Sequence, residues 1–171
     1  IRDELFTVFL LAPDHVGLTV QKQPTLYWYL SKLTRYPIEV TIIEDQAIYP
    51  LFEKRISLPV QPGIQQVRLA DYDVHLLPNI EYWWFVSVVP DPDHRSKDIL
   101  AGGLIERIEI SESLRAKLAQ AEKGETPQIY ADAGIWYDAL MTISDLIDAA
   151  PNDTVLRKQR AALLEQVGLS E

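Results

Sequence analysis

Leu76-Leu77-Pro78-Asn79-Ile80-Glu81-Tyr82-Trp83-Trp84-Phe85-Val86-Ser87-Val88-Val89 is the stretch whose reading decides the fold. Pro78-Asn79 is turn chemistry: the proline presets its own φ and asparagine tolerates tight backbone geometry. Tyr82–Val89 is then a short run dense in aromatic and β-branched side chains, which fit a pleated surface, so it reads as a strand. Side chains alternate along a strand. One face carries Tyr82, Trp84, Val86 and Val88, and the other Trp83, Phe85 and Val89. A strand in an antiparallel sheet normally wets one face. This one is apolar on both, so its outer face is expected to be covered.

The pattern extends toward the N-terminus. Further short apolar runs are Phe6–Leu11, Thr25–Leu30, Ile38–Ile43, Ala47–Leu58 (long enough for two strands), Ile64–Leu69 and Ile99–Ile110. Pro13 with Gly17, Pro24, Pro37, Pro59 and Pro62-Gly63 punctuate the gaps. About seven strands with such turns suggest a sandwich. A parallel sheet would need crossover helices, and the gaps hold no helical pattern. In Thr25–Leu30, Leu26, Trp28 and Leu30 share a face, which places Trp28 inward. The expected fold is an antiparallel β-sandwich over residues 1–110, followed by a helical segment over residues 111–171.

The tail divides into three predicted helices, about 112–123, 127–149 and 153–167. The first sets Leu114, Leu118 and Ala121 on one face and stops at Gly124. The second opens on Thr126 as N-cap with Pro127 in the first turn. Its apolar residues Ile129, Ala133, Trp136, Leu140, Ile143 and Ile147 recur at spacings of 4, 3, 4, 3 and 4, which favours one helix running through Gly134 and ending before Pro151. The third, capped by Asn152 or Asp153, aligns Leu156, Leu163 and Val167 ahead of Gly168. The stripe around Trp136 is expected to dock on the outer face around Trp83 and Phe85. Tyr137 and Asp138, beside the stripe, are expected to face outward.

Three resemblances rest on these residues. Leu76 to Tyr82 resembles the Leu-x-Pro-Gly-x-x-Tyr lead-in to strand F of fibronectin type III domains, with Asn79 in place of glycine. It implies an Ig-like sandwich in which the Tyr82 hydroxyl bonds back to the upstream backbone. Tyr130, Gly134, Trp136, Ala139, Ile143 and Pro151 are spaced as in part of a tetratricopeptide repeat. A single partial repeat cannot bury its own core, so the helices are expected to dock on the sandwich. The ordered set Pro13, Gly17-Leu18-Thr19, Pro24-Thr25, Trp28-Tyr29, Tyr82-Trp83-Trp84, Asp91-Pro92-Asp93 with Arg95-Ser96, Gly103, and Gly134-Ile135-Trp136-Tyr137-Asp138-Ala139 resembles a mostly cyanobacterial family. That family is number nine hundred and twenty-eight among the domains of unknown function. The resemblance runs from about Leu10 to Leu169 and implies an architecture but no chemistry. Its members often carry an export signal and a cysteine or two, which implies a periplasmic or secreted setting. This chain shows neither, and its start at Ile1 rather than Met suggests a segment removed upstream.

Composition narrows the function classes. A chain of 171 residues, 47% hydrophobic, has room for a core without staples, and it has no cysteine for disulfide or thiol chemistry. The net charge of -9 disfavours a nucleic-acid partner. No apolar run reaches the roughly 18–20 residues of a membrane span. No cofactor motif is present, since Gly102-Gly103 lacks a phosphate-loop context and reads as a bulge or a close backbone approach. His15, His75 and His94 stand apart in turns and form no metal motif. No Gly-x-Ser-x-Gly elbow accompanies them.

The loop Asp91-Pro92-Asp93-His94-Arg95-Ser96-Lys97-Asp98 is the most polar stretch between strands. Its carboxylates do not fall at calcium-loop spacing, so it reads as an Asp-Pro turn with Arg95 pairing an acid. Loops on rigid sandwiches often carry binding, which makes Asp91, Asp93, His94 and Arg95, with Tyr137 and Asp138, the candidate partner-binding residues. Trp28, Tyr82, Trp83, Trp84, Phe85 and Trp136 are read as structural. The expectation is a non-enzymatic protein-binding or assembly module. The alternatives are a carbohydrate-binding domain using Tyr27, Tyr29, Trp83 and Phe85 as a stacking platform, and an enzyme of unrecognised type with convergent ionisable groups in a pocket.

Overall fold

The computed structural model describes residues 7–169, so Phe6, where the first strand was expected to begin, lies outside the described residues. The strands are β1 (Val8–Leu10), β2 (Gly17–Thr19), β3 (Thr25–Leu30), β4 (Ile38–Glu44), β5 (Phe52–Ile56), β6 (Gly63–Arg68), β7 (Glu81–Val88) and β8 (Ile99–Arg107). The helices are α1 (Glu112–Gln120), α2 (Thr126–Asp132), α3 (Trp136–Ala149) and α4 (Thr154–Glu165).

Two sheets form, with strand orders β1-β3-β6 and β2-β8-β7-β4-β5. Their inner faces share one core. Leu26, Trp28 and Leu30 of β3 and Ile38, Val40 and Ile42 of β4 are buried together with Tyr82, Trp84, Val86 and Val88 of β7. Trp28 therefore points inward, as its alternation requires. The corner before β7 is pinned as expected: the Leu77 N–H donates to the Tyr82 hydroxyl at 3.0 Å. Asn79 takes φ 63°, the left-handed conformation for which a glycine is usual and asparagine is tolerated.

Three expectations about the strands need correction. The sheets are not wholly antiparallel, because β2 pairs parallel with β8, Gly17 opposite Ile105 and Thr19 opposite Arg107. The chain leaves β1 in one sheet and crosses to the other, and three residues are too few to show alternation. Ala47–Leu58 yields one strand rather than two, since Ile48, Tyr49 and Pro50 form an exposed hairpin tip ahead of β5. Gly102-Gly103 makes no bulge; the β7–β8 register runs unbroken through it, and the Phe85 side chain fills the space a Cβ on Gly102 would need.

The tail holds four helices. The helix expected over 127–149 is broken at Gly134, which adopts φ 76°. Gly134 N–H donates to Ala131 and Ile135 N–H to Tyr130, so the carbonyls left open by the end of α2 are satisfied by a Schellman cap. The break shifts the buried face: Tyr130 rather than Ile129 or Ala133 points inward on α2. Thr126 lies inside α2 rather than capping it, behind a 3-10 turn over Lys123–Glu125. Asp153 caps α4 as expected, accepting from Val155 and Leu156 N–H.

Candidate functional site

The helices meet the sandwich at its side, where α3 packs on β2 and β3. Three consecutive residues make the junction. Trp136 Nε1 donates to the Leu11 carbonyl at 3.1 Å. The Tyr137 hydroxyl accepts from Trp84 Nε1 at 3.0 Å and donates to the Leu104 carbonyl at 2.9 Å. Its ring lies against Gly17, where any Cβ would collide with it. Asp138 accepts from the Thr19 hydroxyl at 2.6 Å and from Val20 N–H at 2.9 Å. Burial pushes the Asp138 carboxyl up to about 6, against the downward pull of those two donors, and pushes the Tyr137 phenol up as well.

The expected outward placement of Tyr137 and Asp138 is therefore wrong. Both are buried, at 1% and 0% exposure, and they anchor the tail instead of facing a partner. The stripe also lands elsewhere than expected. It does not cover Trp83 and Phe85, because the polar hooks of α3 find their mates on β2, β7 and β8 at the sheet's side.

Among the described residues no helix consequently packs on the outer face of the five-stranded sheet. The register sets Ile43, Trp83 and Leu104 side by side across β4, β7 and β8. Phe85 follows two residues on, over Gly102, and Leu100 lies beyond it at 59% exposure. The Trp83 and Phe85 rings lie nearly parallel, 7° apart, with centroids at 5.9 Å. Trp83 Nε1 donates to Asp45 at 3.2 Å, in the turn that leads to Ile48 and Tyr49, 85% and 83% exposed. Around this apolar strip the same face presents Glu39, Glu53, Glu81 and Glu106, with Arg55 the basic residue across from Glu39. Tyr27 and Tyr29 do not join the strip. They belong to the other sheet, where Tyr29 stacks on Phe9 at 4.8 Å, so the four-aromatic platform is split between two faces.

A family model, Domain of Unknown Function (DUF928), matches residues 3–171. The chain belongs to the DUF928 family. No curated protein matches it.

In this DUF928 chain the Asp91–Asp98 loop is closed on itself. Asp91 meets His94 Nδ1 at 2.7 Å and accepts from Asp93 N–H, which holds its carboxyl below the usual value. Arg95 bridges Asp98 at 2.8 Å and Glu39 at 2.7 Å, which raises its pKa further. The loop thus holds Asp91 against His94 and Arg95 against Asp98 and Glu39, while the Asp93 side chain stays exposed. Among the described residues no group of three acids or histidines is placed to hold a metal ion. No helix among them is long and apolar enough to cross a membrane.

Sequence reasoning missed a groove of about 460 Å³ between the outer face of β3–β6 and the helices α3 and α4. Tyr27 and Tyr29 form one wall, and Ser144, Asp148, Arg157 and Arg160 line the other. Arg160 is buried and reaches Ser144 at 3.5 Å. The signal was present, since Arg160 falls between Leu156 and Leu163 at helical spacing, a charge set on an apolar stripe. Among the described residues the Tyr27 hydroxyl meets no hydrogen-bond partner. Burial, and then the charge of Asp145, push its phenol up to about 12; Ser144 offsets part of that rise without reaching hydrogen-bond geometry. At neutral pH Tyr27 is therefore a donor, suited to recognition rather than to proton abstraction.

Proposed function

We propose that this DUF928 domain is a non-enzymatic binding or assembly module that takes a protein partner on the outer face of its five-stranded sheet. One observation carries the reading: no helix among the described residues packs on the Trp83–Phe85 strip with Ile43, Leu100 and Leu104. Large aromatic residues in an apolar patch rimmed by charge are what protein interfaces concentrate. The rim of Glu53, Glu81 and Glu106 selects a partner with an apolar centre and a basic border. The export signals common in the family support a periplasmic or secreted setting. The test is affinity capture from native extract with the wild type and with a Trp83→Ala/Phe85→Ala variant. A stoichiometric partner held by the first and lost by the second supports the reading. A partner held equally by both removes it.

The second reading is a carbohydrate-binding face. The near-parallel Trp83 and Phe85 rings beside the Asp45 carboxylate favour it, since rings beside an acid suit a sugar's apolar face and its hydroxyls. Soluble glycans that displace the captured protein, or that bind directly and need Trp83, would decide for it.

A further inference from the structure

The three-stranded sheet ends on a strand whose free side is open. Leu11 N–H donates to the Tyr27 carbonyl at 3.0 Å, so the backbone groups of Tyr27 turn toward β1. Those of Leu26, Trp28 and Leu30 then turn toward β6, where they meet Val67, Gln65 and Gly63 in register. Leu69 N–H, bonded to the Pro24 carbonyl at 3.2 Å, keeps the same parity. The N–H and C=O groups of Ile64, Gln66 and Arg68 consequently point away from the sheet. Among the described residues they have no backbone partner, and no strand pairs with β6 on that side.

The other edges are blunted. β1 and β2 are three residues each, and β5 exposes Glu53, Lys54 and Arg55. Short strands and charges are the usual defences of an edge. β6 has neither: it runs six residues and carries its single charge at Arg68, its end. Beside it lies the groove walled by Tyr27 and Tyr29, where the buried Tyr27 hydroxyl has no hydrogen-bond partner among the described residues.

From this juxtaposition we infer that the β6 edge accepts an extended segment of a partner protein as an added strand, with one hydrogen-bond-accepting side chain of that segment entering the groove to meet Tyr27. Outward backbone groups at every second residue match another extended backbone and no small molecule. The groove volume, about 460 Å³, suits side chains rather than a globular surface. A second copy of this chain is disfavoured, because each copy carries a net charge of -9, Asp148 lines the groove beside the edge and Asp145 lies within electrostatic reach of Arg68. This surface lies on a different sheet from the Trp83–Phe85 strip, so the two readings stand or fall separately.

The test selects short linear peptides from a displayed library on the wild-type chain and measures the winners on variants. Gln66→Pro removes an outward N–H that the β3 ladder does not use, which an edge strand tolerates. It should weaken binding about tenfold or more. Trp83→Ala/Phe85→Ala, on the other sheet, should bind as the wild type does. Tyr27→Phe should weaken only peptides with an acceptor side chain. Should Gln66→Pro fail to fold, amide exchange on the wild type decides: bound peptide must slow exchange at Ile64, Gln66 and Arg68. No selected peptide, equal binding to Gln66→Pro, unslowed exchange at those amides, or a wild-type dimer that Gln66→Pro makes monomeric would each overturn the inference.

Discussion

Trp83 and Trp84 are neighbours on β7 and have opposite surroundings. Trp84 is fully buried and gives its indole N–H to the Tyr137 hydroxyl, a partner from the helical tail. Trp83 lies on the outer face of the sheet and gives its own to Asp45 at the surface. The difference shows what positions an appended helix. Apolar area alone would have favoured either face of β7. The directional groups of α3 break the tie, because Trp136, Tyr137 and Asp138 must each reach a specific polar atom on leaving water. Those atoms sit at the side of the sandwich, on the residues after β1, on β2, β7 and β8.

The sharpest way to break the contrast is to remove its buried half. Tyr137→Ala deletes a fully buried ring and leaves Trp84 Nε1 and the Leu104 carbonyl without their partner. The expected loss is about 4 kcal/mol in urea unfolding. Limited proteolysis should then cut the stretch between β8 and α2 faster than in the wild type. A loss below about 1 kcal/mol would mean that the tail is held by something other than this junction.

Asp138 sharpens the same side through pH. Its folded value, about 6, stands above the ordinary 3.8, so between those values the folded chain keeps a proton that the unfolded chain releases. Stability from this group is therefore fully present below about pH 4 and falls as pH rises through about 6, by about 3 kcal/mol. Asp138→Asn can keep both contacts, with its carbonyl accepting from Val20 N–H and its amide donating to Thr19 Oγ1. Urea midpoints across this range should lose the slope in the variant. A slope that survives the substitution would assign it to another group.

On the exposed half, Trp83→Ala should cost only about 1 kcal/mol, since the ring is half-buried and its one polar contact faces water. Partner binding, measured by titration once the partner is known, should fall at least tenfold if Trp83 is an anchor. A large stability loss with unchanged binding would reverse the contrast and make Trp83 a packing residue.

Most of the fold could be read along the chain because local signals dictate it. Alternation in Thr25–Leu30 and Ile38–Ile43, the Pro78-Asn79 turn and the Asp153 cap all act over a few residues. What could not be read is long-range. β2 is a three-residue strand whose pairing depends on Ile105–Arg107 far along the chain. Gly134 carried a local stop signal, but the apolar spacing across it matched a single helix, and the period outweighed the glycine. The site residues divide in the same way. The loop pairs Asp91 with His94 and Arg95 with Asp98 three residues away, whereas Arg95 finds Glu39 across 56 residues, Tyr137 finds Trp84 and Leu104 across 53 and 33, and Asp138 finds Thr19 across 119. A helical wheel gives the angle between such residues and the stripe; it does not give the width of the surface that the helix meets.

The smallest expected effect concerns the Asp91–Asp98 loop. Arg95 makes two short ion pairs, to Asp98 and Glu39, yet its own side chain is half exposed. Water solvates the guanidinium in either state, so the pairs replace hydration rather than add to it. Arg95→Ala is expected to cost about 1 kcal/mol or less in urea unfolding, and less again at high salt. Its test value is that it separates loop from sheet. Glu39 lies on the outer face in register with Ser87, two residues beyond Phe85 along β7, so Arg95 touches the rim of the Trp83 strip. If binding to the captured partner weakens in Arg95→Ala while stability hardly moves, the loop belongs to that interface and its closed ion pairs set the rim. If neither changes, the loop only joins β7 to β8, and the interface is confined to the strip and its acidic border.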